Sequence, residues 1–166
     1  MQIDSINIKI LALLQNNART PNTEIAKTIG LTTSAVQDRI KKMESRGIIR
    51  GYCACVDPSV LGLNLTAFVG IRITPHNLAG KIASSLTLTP CVEEIYRLAG
   101  EECFLAKIRC ADTEVLESVL ENINNVEGVM GTRTTIVLRS ISKSSGVILS
   151  AHPESKEESE GRNEPS

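Results

Sequence analysis

Residues 22–43 read NTEIAKTIGLTTSAVQDRIKKM, a stretch that predicts two helices joined by a tight turn. Asn22 is the expected N-cap of the first helix, and Gly30 can adopt the left-handed conformation that ends it. Thr32 is the expected N-cap of the second helix. The apolar face of that second helix consists of Val36, Ile40 and Met43. A short helix, a glycine turn and an amphipathic second helix together predict a helix-turn-helix.

The opposite face of the second helix is polar and can enter the major groove of DNA, although a merely solvated face has the same pattern. Gln37 can pair with an adenine edge. Asp38 fits DNA poorly unless it accepts from a cytosine or pairs with Lys41 or Lys42. Arg39 borders the apolar face and is expected to be partly structural. The candidates for DNA contact are Asn22, Thr32, Thr33, Ser34, Gln37, Asp38, Arg39, Lys41 and Lys42, with Arg46 and Arg50 as further phosphate ligands.

Asp4 is the expected N-cap of a further helix that precedes this motif.

Positive charge is concentrated in the first part of the chain. Residues 1–62 contain 8 Lys and Arg against 5 Asp and Glu, a net charge of +3, whereas residues 63–141 contain 7 against 9, a net charge of −2. The whole chain carries −1. The basic residues therefore surround the predicted helix-turn-helix, as expected for a protein whose partner is double-stranded DNA.

From Leu65 onward the apolar residues recur every two positions, which is typical of strands. The expected elements are a strand from Leu65, a helix around 78–86, strands at 92–98 and 104–110, a helix capped by Asp112, and a strand at 129–138. The order β-α-β-β-α-β predicts four antiparallel strands with two helices on one face, the ferredoxin-like arrangement. We expect the other face to be apolar by alternation and buried against another subunit.

Length and composition favour a soluble globular protein. The chain has 166 residues, of which 42% are hydrophobic and 22% charged, as is usual for one or two domains. No apolar run approaches the roughly 18 residues that a membrane span needs. The N-terminus lacks the layout of a signal peptide. We therefore expect a cytoplasmic protein with no membrane partner.

The cysteines and histidines form no recognisable metal or catalytic site in the sequence. The five cysteines include no C-x-x-C pair and no cluster with histidine. Cys53 and Cys55 are expected on the same face of a strand, as small buried hydrophobes. Only His76 and His152 are available, and the glutamate pairs at 93–94 and 101–102 are more typical of a surface. The sequence predicts no catalytic residue, no metal, no cofactor and no enzyme activity.

Several motifs of the N-terminal region are more specific than a bare helix-turn-helix. They are DSINIKILALLQ at 4–15, EIA at 24–26, GLT at 30–32, AVQDR at 35–39 and GIIRGY at 47–52. Together they resemble the amino-terminal domain of the Lrp/AsnC, or feast/famine, regulators. The resemblance implies a winged-type helix-turn-helix domain, with its DNA-binding motif from Asn22 to Lys41 and a strand from Ile48 to Val56. Asn7 departs from the family, which usually has an aspartate there.

The second half contains GEECF at residues 100–104 and EGVMGTRT at 127–134. With the predicted strand order, these segments resemble the family's regulation of amino-acid metabolism domain. The fold class is therefore α+β. The expected organisation is a helix-turn-helix domain with a linker strand at 1–62, a ferredoxin-like effector-binding and oligomerisation domain at 63–141, and a flexible tail at 142–166.

The resemblance also implies an effector site, because family members bind an amino acid between dimers near the loop that joins the second and third strands of this domain. The matching residues are Gly100, Glu101, Glu102, Cys103, Thr132 and Thr134. Cys103 replaces the usual aspartate, and a neutral thiol is a weak acceptor, so the effector's ammonium group needs Glu101 or Glu102. Of these two, Glu102 is the expected partner. Thr132 and Thr134 are expected to supply hydroxyls. Two further hypotheses are that Cys103 is redox-sensitive and that these residues only shape a subunit contact.

These features predict a sequence-specific DNA-binding transcriptional regulator that responds to an amino acid or a related small molecule. The resemblance implies a homodimer that assembles further, into an octamer or another assembly of dimers. The alternative is an architectural DNA-packing protein without a small-molecule effector. Low positive charge disfavours that alternative, and the ratio of specific to bulk DNA affinity separates the two.

Overall fold

The computed structural model describes residues 3–141, which form two compact units, residues 3–55 and residues 56–141. The tail expected at 142–166 lies outside the described residues. No helix among residues 3–141 is long and apolar enough to cross a membrane.

The first unit contains three helices, α1 (Ser5–Asn16), α2 (Asn22–Ile29) and α3 (Thr33–Ser45). The expected caps of α1 and α3 are confirmed, because Asp4 and Thr32 accept hydrogen bonds from backbone N–H groups of the first turn. Gly30 ends α2 in the left-handed conformation, with φ of 74°. The expected cap of α2 is wrong. Its N-cap is Pro21, because the extended backbone ends at the proline and Asn22 is already helical.

A small apolar core fixes the three helices to one another. Its buried residues are Ile10, Ile25, Ala26, Val36, Ile40 and Met43. The residues from α3 recur at three- and four-residue spacing, so they occupy a single face of the helix. The remaining face of α3 is therefore left to solvent.

The strand expected from Ile48 to Val56 does not form. Among the described residues, 46–64 contain no strand, only a short 3-10 helix at Pro58–Leu61. Cys53 and Cys55 are exposed, contrary to the expectation that they are buried. A strand requires a neighbour that pairs with its backbone N–H and C=O groups. No described segment pairs with these residues, so the apolar alternation alone does not produce a strand.

The second unit has the predicted ferredoxin-like order, which confirms the α+β fold class. Its elements are β1 (Leu65–Ile73), α4 (Ala79–Thr87), β2 (Val92–Arg97), β3 (Phe104–Cys110), α5 (Thr113–Asn124) and β4 (Val129–Ile136). The strands pair antiparallel in the order β2-β3-β1-β4.

The two faces of the sheet differ in chemistry. The inner face packs against the helices, and its fully buried residues include Ala67, Val69, Ile71, Ala106 and Ile108. We call the other side the open face; it carries Thr66, Phe68, Gly70, Arg72, Leu105, Lys107 and Arg109. The expectation of an apolar open face is wrong, because successive residues of a strand point to opposite sides and the helices use the apolar set of β1.

Candidate DNA-binding helix and effector loop

The exposed face of α3 carries side chains without partners. Gln37, Asp38, Lys41 and Lys42 are all exposed. Within residues 3–141 none of these four side chains makes a hydrogen bond or an ion pair. The pairing considered for Asp38 with Lys41 or Lys42 is therefore absent. Free amide and ammonium groups on one helix face are suited to base edges and phosphates.

The start of α3 holds its hydroxyl groups in place. Thr32 Oγ1 accepts a hydrogen bond from the Ala35 backbone N–H at 3.2 Å and lies 3.1 Å from Ser34 Oγ. Thr33 is exposed beside them, whereas Asn22 is half-buried in the first turn of α2. The N-terminus of a helix favours anions, so this end of α3 is suited to a phosphate.

Arg39 has a structural role that separates it from the other candidates. One of its terminal nitrogens donates to Asp4 Oδ2 at 2.7 Å and to Asn7 Oδ1 at 3.1 Å. Asn7 is only 5% exposed, so its amide oxygen needs this donor. Arg39 therefore connects α3 to the start of α1. Because Asn7 stands where the family usually has an aspartate, one of the two partners of Arg39 is neutral.

The contacts of Asp4 with Arg39 and Asn7 also lower the pKa of its carboxyl group. Burial raises the pKa of the carboxyl group, but the hydrogen bond from Arg39, the Asn7 N–H and the charge of Arg39 outweigh it and hold the pKa below its ordinary value. Asp4 thus remains ionised at neutral pH as both the cap of α1 and the partner of Arg39.

The loop between β2 and β3 contains the four consecutive candidates for an effector site. Gly100 and Glu101 are exposed, and Glu102 is half-buried. Cys103 is 4% exposed, and its Sγ lies 3.5 Å from His76 Nδ1. Burial leaves the thiol little access to an oxidant in solution, which disfavours the redox hypothesis. The carboxylates are therefore the accessible groups of this loop.

Glu102 pairs with Arg133, a residue that the sequence motifs do not single out. Arg133 Nε lies 2.7 Å from Glu102 Oε1, so the two side chains form an ion pair. The register pairs Gly70 with Arg133, so both belong to the open face. In sequence, Arg133 lies between Thr132 and Thr134. Because successive residues of a strand point to opposite faces, this position alone predicts that Arg133 and the two threonines lie on opposite faces of the sheet.

Thr132 and Thr134 do not join Glu102. They pair with Ile71 and Val69, whose side chains are on the inner face. The side chain of Glu102 lies against Gly70 on the open face. Within this unit the sheet therefore separates the threonines from the loop carboxylate, and the expected grouping is corrected.

Most other charges of the open face pair with one another. Lys107 Nζ lies 2.6 Å from Glu94 and 3.2 Å from Glu93, and Arg109 also binds Glu93. Burial raises the pKa of Glu93, but the hydrogen bonds from Arg109 and Lys107 lower it below its ordinary value. Glu94 binds Tyr96 as well. These carboxylates are counter-ions within the sheet.

Two family models match the chain. The AsnC-type helix-turn-helix domain matches residues 3–44, and the Lrp/AsnC ligand binding domain matches residues 66–147. The HTH-type transcriptional regulator FL11 of Pyrococcus furiosus is 37% identical over 137 residues, which cover 82% of this chain and 90% of FL11. The chain belongs to the Lrp/AsnC family. It is therefore a transcriptional regulator with a DNA-binding helix-turn-helix.

Solved structures of several regulators have the same fold. AsnC of E. coli is 30% identical with a TM-score of 0.82, over 86% of this chain and 97% of AsnC. A regulator of Neisseria meningitidis in complex with L-Met is 29% identical with a TM-score of 0.84, over 89% of this chain and 97% of that one. The feast or famine regulatory protein of M. tuberculosis complexed with L-methionine is 33% identical, with a TM-score of 0.82 over 89% of this chain and 99% of that one.

Proposed function

We propose that this Lrp/AsnC regulator reads its operators through α3 and that an amino acid bound at the loop of residues 100–103 modulates this binding. The unpartnered polar face of α3 is the observation that carries the first part. Gln37 is the residue suited to a base edge, and Lys41 and Lys42 are suited to phosphates. Thr32, Thr33 and Ser34 are placed to contact a phosphate at the start of the helix.

The amino-acid effector is supported by two structural neighbours that contain L-methionine and by the carboxylate of Glu102. A carboxylate can accept a charge-assisted hydrogen bond from an ammonium group. Backbone N–H groups around Gly100 are suited to the effector's carboxylate. The competing interpretation is that the loop shapes a subunit contact only.

The working unit that we propose is a homodimer, with further assembly of dimers such as an octamer. A single helix-turn-helix offers a small DNA contact, and two-fold symmetric proteins read paired half-sites about one helical turn apart, or multiples of it. We place the protein in the cytoplasm and propose no catalytic activity for it. Light scattering at micromolar protein concentration measures the oligomeric state directly, and finding a monomer would contradict the proposed dimer.

Selection of genomic fragments tests this function against the architectural alternative. The purified full chain is mixed with sheared genomic DNA, and the bound fragments are sequenced with and without each of the twenty amino acids. We expect a small set of sites with paired half-sites, and a change in their recovery with at least one amino acid. Recovery in proportion to abundance would instead favour an architectural protein.

A further inference from the structure

Two arginines of the open face each stand opposite a glycine. Arg133 of β4 pairs with Gly70 of β1, and Arg72 of β1 pairs with Gly131 of β4. Cross-strand neighbours on one face normally fill the space between them with side chains. Here each glycine lacks a side chain, and the side chain of another residue occupies the space beside it.

The space above Gly70 is filled by Glu102. A Cβ atom on Gly70 would lie 2.7 Å from Glu102 Cδ and 3.0 Å from its Cγ and Oε1. Gly70 does not have the positive φ that favours glycine, so its backbone alone does not require this residue. What requires it is the close approach of the Glu102 carboxylate to the sheet.

Arg133 holds the same carboxylate from the side. It binds Oε1, and the side chain of Glu102 is only 20% exposed, against 78% for Arg133. Within residues 3–141, Oε2 of Glu102 accepts no hydrogen bond, and its carboxylate has no ion-pair partner other than Arg133. A carboxylate has four lone pairs on two oxygens, so it can accept a second donor while Arg133 stays in place.

We propose that Gly70 and Arg133 are positioning residues that fix Glu102 so that Oε2 receives the ammonium group of an amino-acid effector. This inference rests on the proposed function. It assigns recognition of the effector's amino group to the Glu102 carboxylate. Pre-organised donors and acceptors bind without the cost of ordering a long side chain. Arg72 has a weaker local partner, since its guanidinium lies 3.9 Å from the exposed Glu101.

Calorimetry on the full chain tests the proposal with two probes. The first is the amino acid that binds the wild type most tightly, and the second is the same molecule with hydrogen in place of its amino group. We expect the amino acid to bind about 10-fold tighter or more, the range of a charge-assisted hydrogen bond. Gly70→Ala should remove most of this preference and leave binding of the second probe unchanged.

Gly70→Ala is suited to this test because the group it displaces is the end of a flexible side chain. The control is Gly80→Ala on α4, where a Cβ would meet nothing within 4 Å. Arg133→Gln should weaken the preference, and Arg133→Lys should restore part of it. Thermal unfolding and DNA binding of each variant confirm that the fold is retained.

Two results would overturn the positioning role. One is a Gly70→Ala variant that keeps the full preference for the amino group. The other is tighter binding of the amino acid by Arg133→Gln, which would make Arg133 a competitor of the ligand. If no amino acid binds the wild type, the effector part of the proposed function fails and this inference fails with it. If an amino acid binds the wild type, but Gly70→Ala and Arg133→Gln both keep the full preference for its amino group, the positioning role is wrong and the proposed function stands.

Discussion

The exposed face of α3 and the open face of the sheet both carry many charged side chains, but those of α3 lack ion-pair partners whereas most of those on the sheet have them. On α3, Lys41 and Lys42 have no partner among the described residues. On the sheet, Lys107 and Arg109 bind Glu93 and Glu94 within the same unit. Charges without internal partners keep their full interaction for a polyanion, whereas paired charges stabilise the surface that carries them. We therefore expect the unpaired charges of α3 to be available to DNA and the paired charges of the sheet to act as counter-ions within their own unit.

Removing the amide of Gln37 gives the largest expected effect. Gln37→Ala should lower the preference for the selected operator by about 1–3 kcal/mol, which is the range of one bidentate base contact. Affinity for bulk DNA should hardly change, because the phosphate contacts remain. Fluorescence anisotropy with the operator and with a scrambled duplex measures both. Equal losses on the two duplexes would assign Gln37 to the backbone of DNA instead.

Replacing Arg39 should affect stability more than DNA binding. Arg39→Met leaves the buried oxygen of Asn7 without a donor, so the free energy of unfolding should fall by about 1–2 kcal/mol. The matched control is Arg19→Met, because the side chain of Arg19 is exposed and has no partner among residues 3–141. Urea denaturation measures both. Arg39 would move to the DNA-contacting class if its loss lowered the salt dependence of binding and left stability intact.

Lys41→Ala should show the reverse pattern. We expect weaker binding to all sequences, a salt slope lower in magnitude by about one, and unchanged stability. Lys81→Ala is the control, since Lys81 pairs with Glu127 in the second unit and is 73% exposed. Anisotropy titrations over a series of salt concentrations give the slopes. An unchanged slope for Lys41→Ala would show that this ammonium group does not contact phosphate.

The smallest effect concerns Asp4 and pH. Because its folded pKa is below the unfolded value, its contribution to stability is present above the unfolded pKa and is lost as pH falls through the folded pKa. Asp4→Asn keeps an N-cap side chain but loses the charge, at a cost below about 1 kcal/mol for a group that is 51% exposed. The difference in unfolding free energy between wild type and variant should narrow as pH is lowered below about 4. A constant difference would contradict the ion pair with Arg39.

Local signals predict most of the fold. The cap residues Asp4 and Thr32, the glycine at position 30 and the two periodicities act over a few residues, and the structure confirms each of them. The strand at 48–56 is different, because its formation depends on a pairing partner that the described residues do not provide. The prediction of an apolar open face is wrong because the apolar alternation of β1 belongs to one side of the sheet only.

The candidate site was less predictable than the fold. Sequence places Glu102, Thr132 and Thr134 in two motifs, but only the strand register shows that the threonines and the carboxylate are on opposite faces. Gly70 gives no functional signal in the sequence, since its role comes from the close approach of a residue 32 positions later. The position of Arg39 beside the apolar face of α3 predicts a partly structural role, whereas its partners Asp4 and Asn7 are brought to it only by the packing of α1 against α3.

Photocrosslinking from α3 tests whether this helix contacts the operator. A benzoylphenylalanine is introduced at Gln37 in one variant and, as the control, at the exposed Asn122 of α5 in another. Each variant is irradiated with a labelled operator duplex. We expect a crosslinked protein–DNA product from position 37, lost with excess unlabelled operator, and none from position 122. Crosslinking from position 122 but not from position 37, in a variant that still binds DNA, would contradict it.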